Sequence, residues 1–146
     1  HAICRKLDKF AKYINNGCGT HLHVGTKYKY IMQDYEVELF SPLLEYMRKD
    51  KEKTKKFWGR YFNHYCSEYF EEDRYNTFNT RSSVETLEFR LLKFNNSKQY
   101  IRATDFCIDT TKYINYHISK GNFDSNKARK VGQTILKKYM EVSENV

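Results

Sequence analysis

The chain has 146 residues, of which 40% are hydrophobic, and its net charge is +8. This length suits one domain with one core, and the hydrophobic content excludes an intrinsically disordered chain. No stretch approaches the ~18 consecutive apolar residues of a membrane span, so we expect no membrane among the partners. The positive charge favours anionic ligands, although lysines on a solvated surface would give the same total.

The N-terminal half is predicted to begin with a helix over residues 1–15, where apolar side chains recur at helical spacing. A short strand follows over residues 19–25. The next helix begins either after Asp34, as its cap, or near Ser41, because a proline inside a helix would kink it. Residues 54–70 are rich in aromatic side chains and predict a helix or a helix followed by a loop.

The C-terminal half is predicted to contain two strands and two helices. The strands cover residues 75–80 and 84–92, and a turn at Asn95 precedes a helix over 98–119 with Ser97 as its cap. A final amphipathic helix covers residues 124–140. This order predicts a single α+β domain over residues 1–146, an antiparallel sheet with helices packed on one face.

The first predicted strand carries two histidines on one face. Side chains alternate across a strand, so His21 and His23 point one way while Leu22 and Val24 point the other way. Paired imidazoles flanked by glycines indicate a metal or phosphate site, and structural histidines are the alternative. A zinc site is a further alternative, but its spacing fits no standard zinc module. Its candidate ligands are Cys18, His21, His23, His64 and Cys66.

The last predicted strand has the same arrangement. Glu88 and Arg90 share one face, and Leu87, Phe89 and Leu91 share the other. An ordinary strand with one face in water gives the same pattern. If both strands lie in one sheet, the polar pairs converge on its open face. A carboxylate with imidazoles can hold a divalent cation there, and an arginine can hold its phosphate.

Four segments of the chain resemble, in order, motifs of the amidoligases, relatives of glutamine synthetase and glutamate–cysteine ligase. Gly19 to Gly25 resembles their Gly-x-His-x-His-x motif, and Thr86 to Leu91 resembles their Thr-hydrophobic-Glu-Phe-Arg strand. Between them, Arg60 to Cys66 resembles an Arg-x-x-Asn-x-Tyr-Cys segment, and Arg74 to Asn79 resembles an Arg-Tyr-x-x-hydrophobic-Asn segment. The resemblance extends over about residues 17–115.

The resemblance implies a glutamine-synthetase-like catalytic fold and an ATP-dependent carboxylate–amine ligase that forms an amide through an acyl phosphate. The implied cofactors are ATP and magnesium or manganese, the substrates are peptide or amino-acid-like carboxylates and amines, and the implied location is cytoplasmic. Asn79 would be structural or would face the substrate. The resemblance implies that His21 and Glu88 are metal ligands and that His23 and Arg90 contact phosphate. It also implies catalytic contacts with anions from Arg90, Arg60 and Arg74.

One departure from the family pattern concerns the metal ligands. Family members usually carry an N-terminal strand with two glutamates two residues apart. Glu36 and Glu38 have this spacing, but they lie at a predicted helix start, where their negative charges interact favourably with the helix dipole. We therefore expect the chain to be the C-terminal part of a longer catalytic domain, incomplete at its N-terminus and inactive without a missing N-terminal segment or a partner chain.

Two other function classes compete with the ligase. The first is a non-catalytic binding or assembly module derived from the same fold. The second is a basic nucleic-acid-binding protein that stacks bases on its tyrosines. We do not expect nucleic acid as a partner, because the sequence contains no recognised nucleic-acid motif. The sequence leaves the oligomeric state undecided.

Overall fold

The computed structural model describes residues 8, 19–70 and 75–141. In these residues, three antiparallel strands form one sheet in the order β1-β3-β2. Strand β1 is Leu22–Gly25, β2 is Phe78–Asn79 and β3 is Thr86–Phe89. The α+β prediction is confirmed, and the two motif strands are direct neighbours, because His23 lies opposite Glu88 in the ladder.

Five α-helices surround this sheet in the described part of the chain. They are α1 (Lys29–Asp34), α2 (Glu36–Lys49), α3 (Lys51–Trp58), α4 (Ser97–Ser119) and α5 (Ser125–Ile135), and a π-helical segment continues α5 over Leu136–Glu141. The helix predicted over 1–15 lies outside the described residues, apart from Asp8. None of the helices in these ranges is long and apolar enough to cross a membrane.

Helix α2 contains a proline that the sequence placed at a helix start. The helix begins at Glu36, so Pro42 lies in its interior and the predicted start near Ser41 is wrong. The predicted cap by Asp34 is also wrong, because Asp34 is the last residue of α1. Pro42 has no N–H to donate to the carbonyl of Glu38, one turn earlier. Helix α5 packs closely there, because a Cβ on Gly132 would lie 2.8 Å from that carbonyl oxygen. The turn of α2 that contains Pro42 is therefore in contact with α5.

Helix α3 ends at a glycine that reverses the chain. Gly59 has a φ of 91°, which favours glycine, and its N–H donates to the carbonyl of Lys55 at 2.8 Å. The predicted aromatic segment is therefore helical only up to Trp58. The rest of it continues without helix across the polar side of the sheet, where Arg90 donates to the carbonyl of Tyr65.

The apolar side of the sheet forms the centre of the core. Leu87, Phe89 and Leu91 are buried, as predicted, and the half-buried Leu22 and Val24 pack against the same core. Helix α4 packs on β1, whereas α5 makes its main contacts with α2 and α4. The second of the two C-terminal helices thus covers other helices more than the sheet.

The ends of the C-terminal helices show how local signals set their limits. The Asn96 side chain accepts from the backbone N–H of Gln99 at 2.9 Å, so Asn96 caps α4 in place of the predicted Ser97. The Asp124 side chain accepts from the N–H of Lys127 at 2.8 Å and caps α5. The predicted end of the last helix, near residue 140, holds only as a π-helical continuation.

Candidate functional site

The candidate site is a cluster centred on the Glu88 carboxylate. Arg90 Nη1 donates to Glu88 Oε1 at 3.0 Å, and Asn79 Nδ2 donates to Oε2 at 2.6 Å. His21 Nδ1 and His23 Nε2 lie 3.1 Å and 3.6 Å from Oε1. Strand alternation and the pairing of β1 with β3 thus bring together the four residues that the sequence placed on one face.

The expected open face is open only at the two histidines, and the expectation is wrong for Glu88 and Arg90. Both imidazole side chains are 39% exposed, whereas the Glu88 side chain is only 5% exposed and the Arg90 side chain 8%. The segment after α3 covers the pair, because Arg90 Nε donates to the carbonyl of Tyr65 at 2.9 Å. The carboxylate and guanidinium therefore form a buried ion pair, and the histidines form its exposed edge.

Aromatic rings complete this cover. The Tyr75 ring centroid lies 5.3 Å from Arg90 Cζ, a cation–π contact. The rings of His64, Tyr65 and Tyr75 contact one another, with centroids 5.1 to 5.7 Å apart. The polar face of the sheet is consequently shielded from water over Arg90.

The two histidines have different surroundings. Burial lowers the pKa of His21 from its ordinary 6.5, and the neighbouring Arg90 charge lowers it further, against an opposing effect of Glu88. His21 is therefore a neutral imidazole at neutral pH. His23 Nδ1 lies 2.8 Å from Thr86 Oγ1, and this contact fixes the orientation of its ring.

Arg60 and Arg74 are the other two arginines that were predicted as anion contacts. Arg60 is buried, and it donates from Nε to the carbonyl of Leu91 at 3.2 Å and from Nη2 to the carbonyl of Arg90. A Cβ on Gly19 would lie 2.4 Å from this guanidinium, so a larger residue there would displace the end of the Arg60 side chain. Two of the three Arg60 nitrogens thus hold the end of β3, and the predicted anion contact would fall to the third. Arg74 lies outside the described residues.

The sequence did not predict a second buried ion pair that joins this cluster. Glu36 accepts two hydrogen bonds at 2.8 Å from Arg81 and is buried, so its role exceeds the predicted interaction with the helix dipole. The Arg81 backbone N–H donates to Asn79 Oδ1 at 2.9 Å, which connects the pair to Glu88. The sequence contains no motif that marks Arg81, so strand alternation could have found Asn79 but not this partner.

The described residues do not by themselves fit a resident metal ion. Among residues 8, 19–70 and 75–141, no group of three His, Cys, Asp or Glu side chains could hold one. Arg90 Nη1 lies against Glu88 Oε1, the oxygen that would bind a cation, and 3.5 Å from His21 Nδ1. The positive charge of Arg90 therefore already occupies the position beside both proposed metal ligands. Magnesium also prefers several oxygen ligands, and the cluster offers one carboxylate.

The zinc alternative has no support in the part of the chain that the structure describes. Cys66 is buried, and burial raises the pKa of its thiol. Its Sγ donates to Asn63 Oδ1 at 3.2 Å. Cys18, the other proposed sulfur ligand, lies outside the described residues.

Comparison with known proteins adds no assignment to the Glu88 cluster. No family model, no curated protein and no solved structure matches this chain.

Proposed function

We propose that this chain is the C-terminal part of an ATP-dependent carboxylate–amine ligase of the amidoligase kind, with a glutamine-synthetase-like catalytic fold. The observation that carries the proposal is that residues from separate family-like motifs meet at one carboxylate. His21, Glu88 and Asn79 come from three such segments and are in contact. Arg60, from a fourth segment, is bonded to the Arg90 carbonyl. The pairing of β1 and β2 with β3 places residues from these separate segments around the same carboxylate.

The charges at the cluster suit a phosphorylated intermediate. A hydrogen bond to the Tyr65 carbonyl, the ion pair with Glu88 and the Tyr75 ring hold Arg90 in place, so its positive charge is fixed before a ligand arrives. The half-exposed His21 and His23 are the part of the cluster that a ligand in solution can reach. We assign contacts with phosphate oxygens to this edge, where imidazole N–H groups donate and the guanidinium supplies charge.

The proposed reaction needs two transfers. The terminal phosphoryl group of ATP passes to a substrate carboxylate oxygen, which releases ADP, and the amine nitrogen then attacks the acyl carbon and expels phosphate. Electrostatic stabilisation by fixed cations is the main contribution that this cluster can make to either step. A divalent cation would assist the nucleotide, but its ligands would have to come largely from outside the described residues.

A non-catalytic binding module is the second candidate, and one observation favours it. Both oxygens of Glu88 already accept hydrogen bonds from Asn79 and Arg90. A carboxylate with satisfied partners can be a structural residue that a protein retains for stability. Such a module would keep the buried network and lose ATP turnover.

Trapping of the acyl phosphate distinguishes the two candidates. The product of the complete gene is incubated with ATP, magnesium, hydroxylamine and a panel of amino acids and peptides. The ligase should form a hydroxamate in the presence of ATP, and Arg90→Lys should lower its rate by about 100-fold, since a fixed transition-state donor contributes roughly that much. At the Glu88 cluster, the 146-residue chain alone should bind Mg-ATP weakly or not at all.

Arg129→Lys is the matched control, because Arg129 is exposed on α5 and contacts Asn126 of its own helix. This variant should retain the full rate. If no substrate in the panel gives ATP-dependent hydroxamate, the binding module becomes the better assignment. An Arg90→Lys variant that folds and keeps the wild-type rate would contradict the role given to Arg90.

A further inference from the structure

The lysine-rich helix α3 contributes to a cavity that shares Arg60 with the proposed ligase cluster but does not include Glu88 or Arg90. Lys51 and Lys55 are one helical turn apart and therefore lie on the same side of α3. They line a cavity of about 340 Å³ together with Arg60, Tyr61, Phe62 and Asn63. We propose that this basic cavity, formed by these six residues and Gly59, binds a small molecule that carries phosphate groups.

The charge of the basic cavity supports an anionic ligand. Three of its residues are cations, and none of the described residues that line it carries a carboxylate. The acidic side chain in contact with one of them is Glu52, 3.8 Å from Lys55 Nζ, but Glu52 is 83% exposed. Water screens such a pair, so it compensates little of the positive charge. A bound anion would compensate it fully.

The chain reversal at Gly59 creates this arrangement. The left-handed conformation of Gly59 ends α3 and returns the chain, so the residues after it lie beside the lysines of the helix before it. A Cβ on Gly59 would lie 2.1 Å from the carbonyl oxygen of Lys93, so glycine is required at this turn. The position of the cavity is thus a consequence of the fold.

Several contacts hold the cavity residues in place before a ligand binds. Arg60 is buried, and two of its nitrogens donate to the carbonyls of Leu91 and Arg90. Lys51 Nζ lies 5.4 Å from the centroid of the Tyr61 ring, and the Tyr61 and Phe62 rings contact each other edge-to-face at 4.9 Å. This order reduces the entropy that binding would cost, and the rings give an apolar wall.

The combination of cations indicates phosphate in preference to a single carboxylate. One carboxylate would neutralise one of three positive charges, whereas a diphosphate carries enough charge for all of them. Arginine offers a planar fork to phosphate oxygens, and lysine offers a point charge. The volume is at the lower end of small-molecule pockets, so we expect a compact phosphorylated compound. This inference does not require the proposed ligase activity.

Inorganic pyrophosphate is the probe, titrated calorimetrically into the 146-residue chain at low salt without metal. Pyrophosphate should bind, and Lys55→Gln should weaken binding by about tenfold, since loss of one charge-assisted contact has about that effect. Lys56→Gln is the matched control, because Lys56 is the next residue along, is exposed and does not line the cavity. It should leave the affinity within about twofold, because only diffuse surface charge is lost.

Further titrations separate the possible sources of the signal. ADP should bind at the same residues, with amide shifts at Gly59 and Asn63 in NMR spectra, while citrate should bind more weakly. The proposal is overturned if pyrophosphate does not bind, if Lys56→Gln weakens binding as much as Lys55→Gln, or if citrate binds as tightly. Because Glu88 and Arg90 do not line this cavity, these results are independent of the hydroxamate assay.

Discussion

Replacement of Glu88 by Gln should destabilise the protein measurably. Seen only as a residue of an open sheet face, Glu88 would tolerate this change with little loss of stability. In the structure its side chain is 5% exposed and its Oε1 lies 3.0 Å from Arg90 Nη1. The substitution keeps the shape of the side chain but removes the negative charge beside a buried guanidinium.

The magnitude follows from the partners that remain. Breaking a buried ion pair by removing one partner costs about 3–5 kcal/mol, because the other charge stays buried without compensation. Gln retains one acceptor oxygen, and Arg90 keeps its bond to the Tyr65 carbonyl and its contact with the Tyr75 ring. The new amide group also faces the Asn79 amide, a donor. We therefore expect a loss of about 2–3 kcal/mol in the free energy of unfolding.

Urea unfolding, followed by far-ultraviolet circular dichroism and by the fluorescence of Trp58, measures this loss. Glu85→Gln is the matched control, since Glu85 is exposed just before β3, and it should change stability by less than about 0.5 kcal/mol. If Glu88→Gln and Glu85→Gln unfold at the same urea concentration as the wild type, the Glu88 carboxylate is not part of a stabilising buried pair.

Two further predictions concern packing and pH. Gly132→Ala should destabilise the protein by about 1–2 kcal/mol in thermal unfolding, because the added Cβ would meet the backbone of Leu39. This cost should exceed the gain from the better helix propensity of alanine. Gly25→Ala is the control and should be neutral, because a Cβ at Gly25 would enter open space. Burial lowers the pKa of His21 and His117 from 6.5. The unfolded chain therefore binds more protons than the folded chain as pH falls through 6.5, so the urea concentration at the midpoint of unfolding should decrease between about pH 7.5 and about pH 6. His117→Gln should make this decrease smaller. If the variant shows the same dependence of the midpoint on pH as the wild type, the lowered pKa of His117 is contradicted.

The amino-acid sequence by itself determined the local elements and the faces of the motif strands. The period of two in residues 21–24 and 86–91 places the apolar and polar side chains on opposite faces wherever the strands pair. The polar pairs His21–His23 and Glu88–Arg90 could therefore be expected on one side of the sheet. The final helix near Asp124 was also predicted, and in the structure the Asp124 side chain accepts from an N–H group that the helix leaves unsatisfied at its N-terminus.

Only the tertiary structure decided what lies on top of that polar face. Alternation assigns a side chain to a face, but it contains no information about which distant segment covers it. The carbonyl of Tyr65 and the ring of Tyr75 come from elsewhere in the chain and convert an expected open site into a buried ion pair. Likewise, local rules place a proline at a helix start, whereas Pro42 lies inside α2, which packs against Gly132 of α5 through the backbone of Glu38 and Leu39. Both outcomes rest on contacts between residues far apart in sequence, which no local pattern encodes.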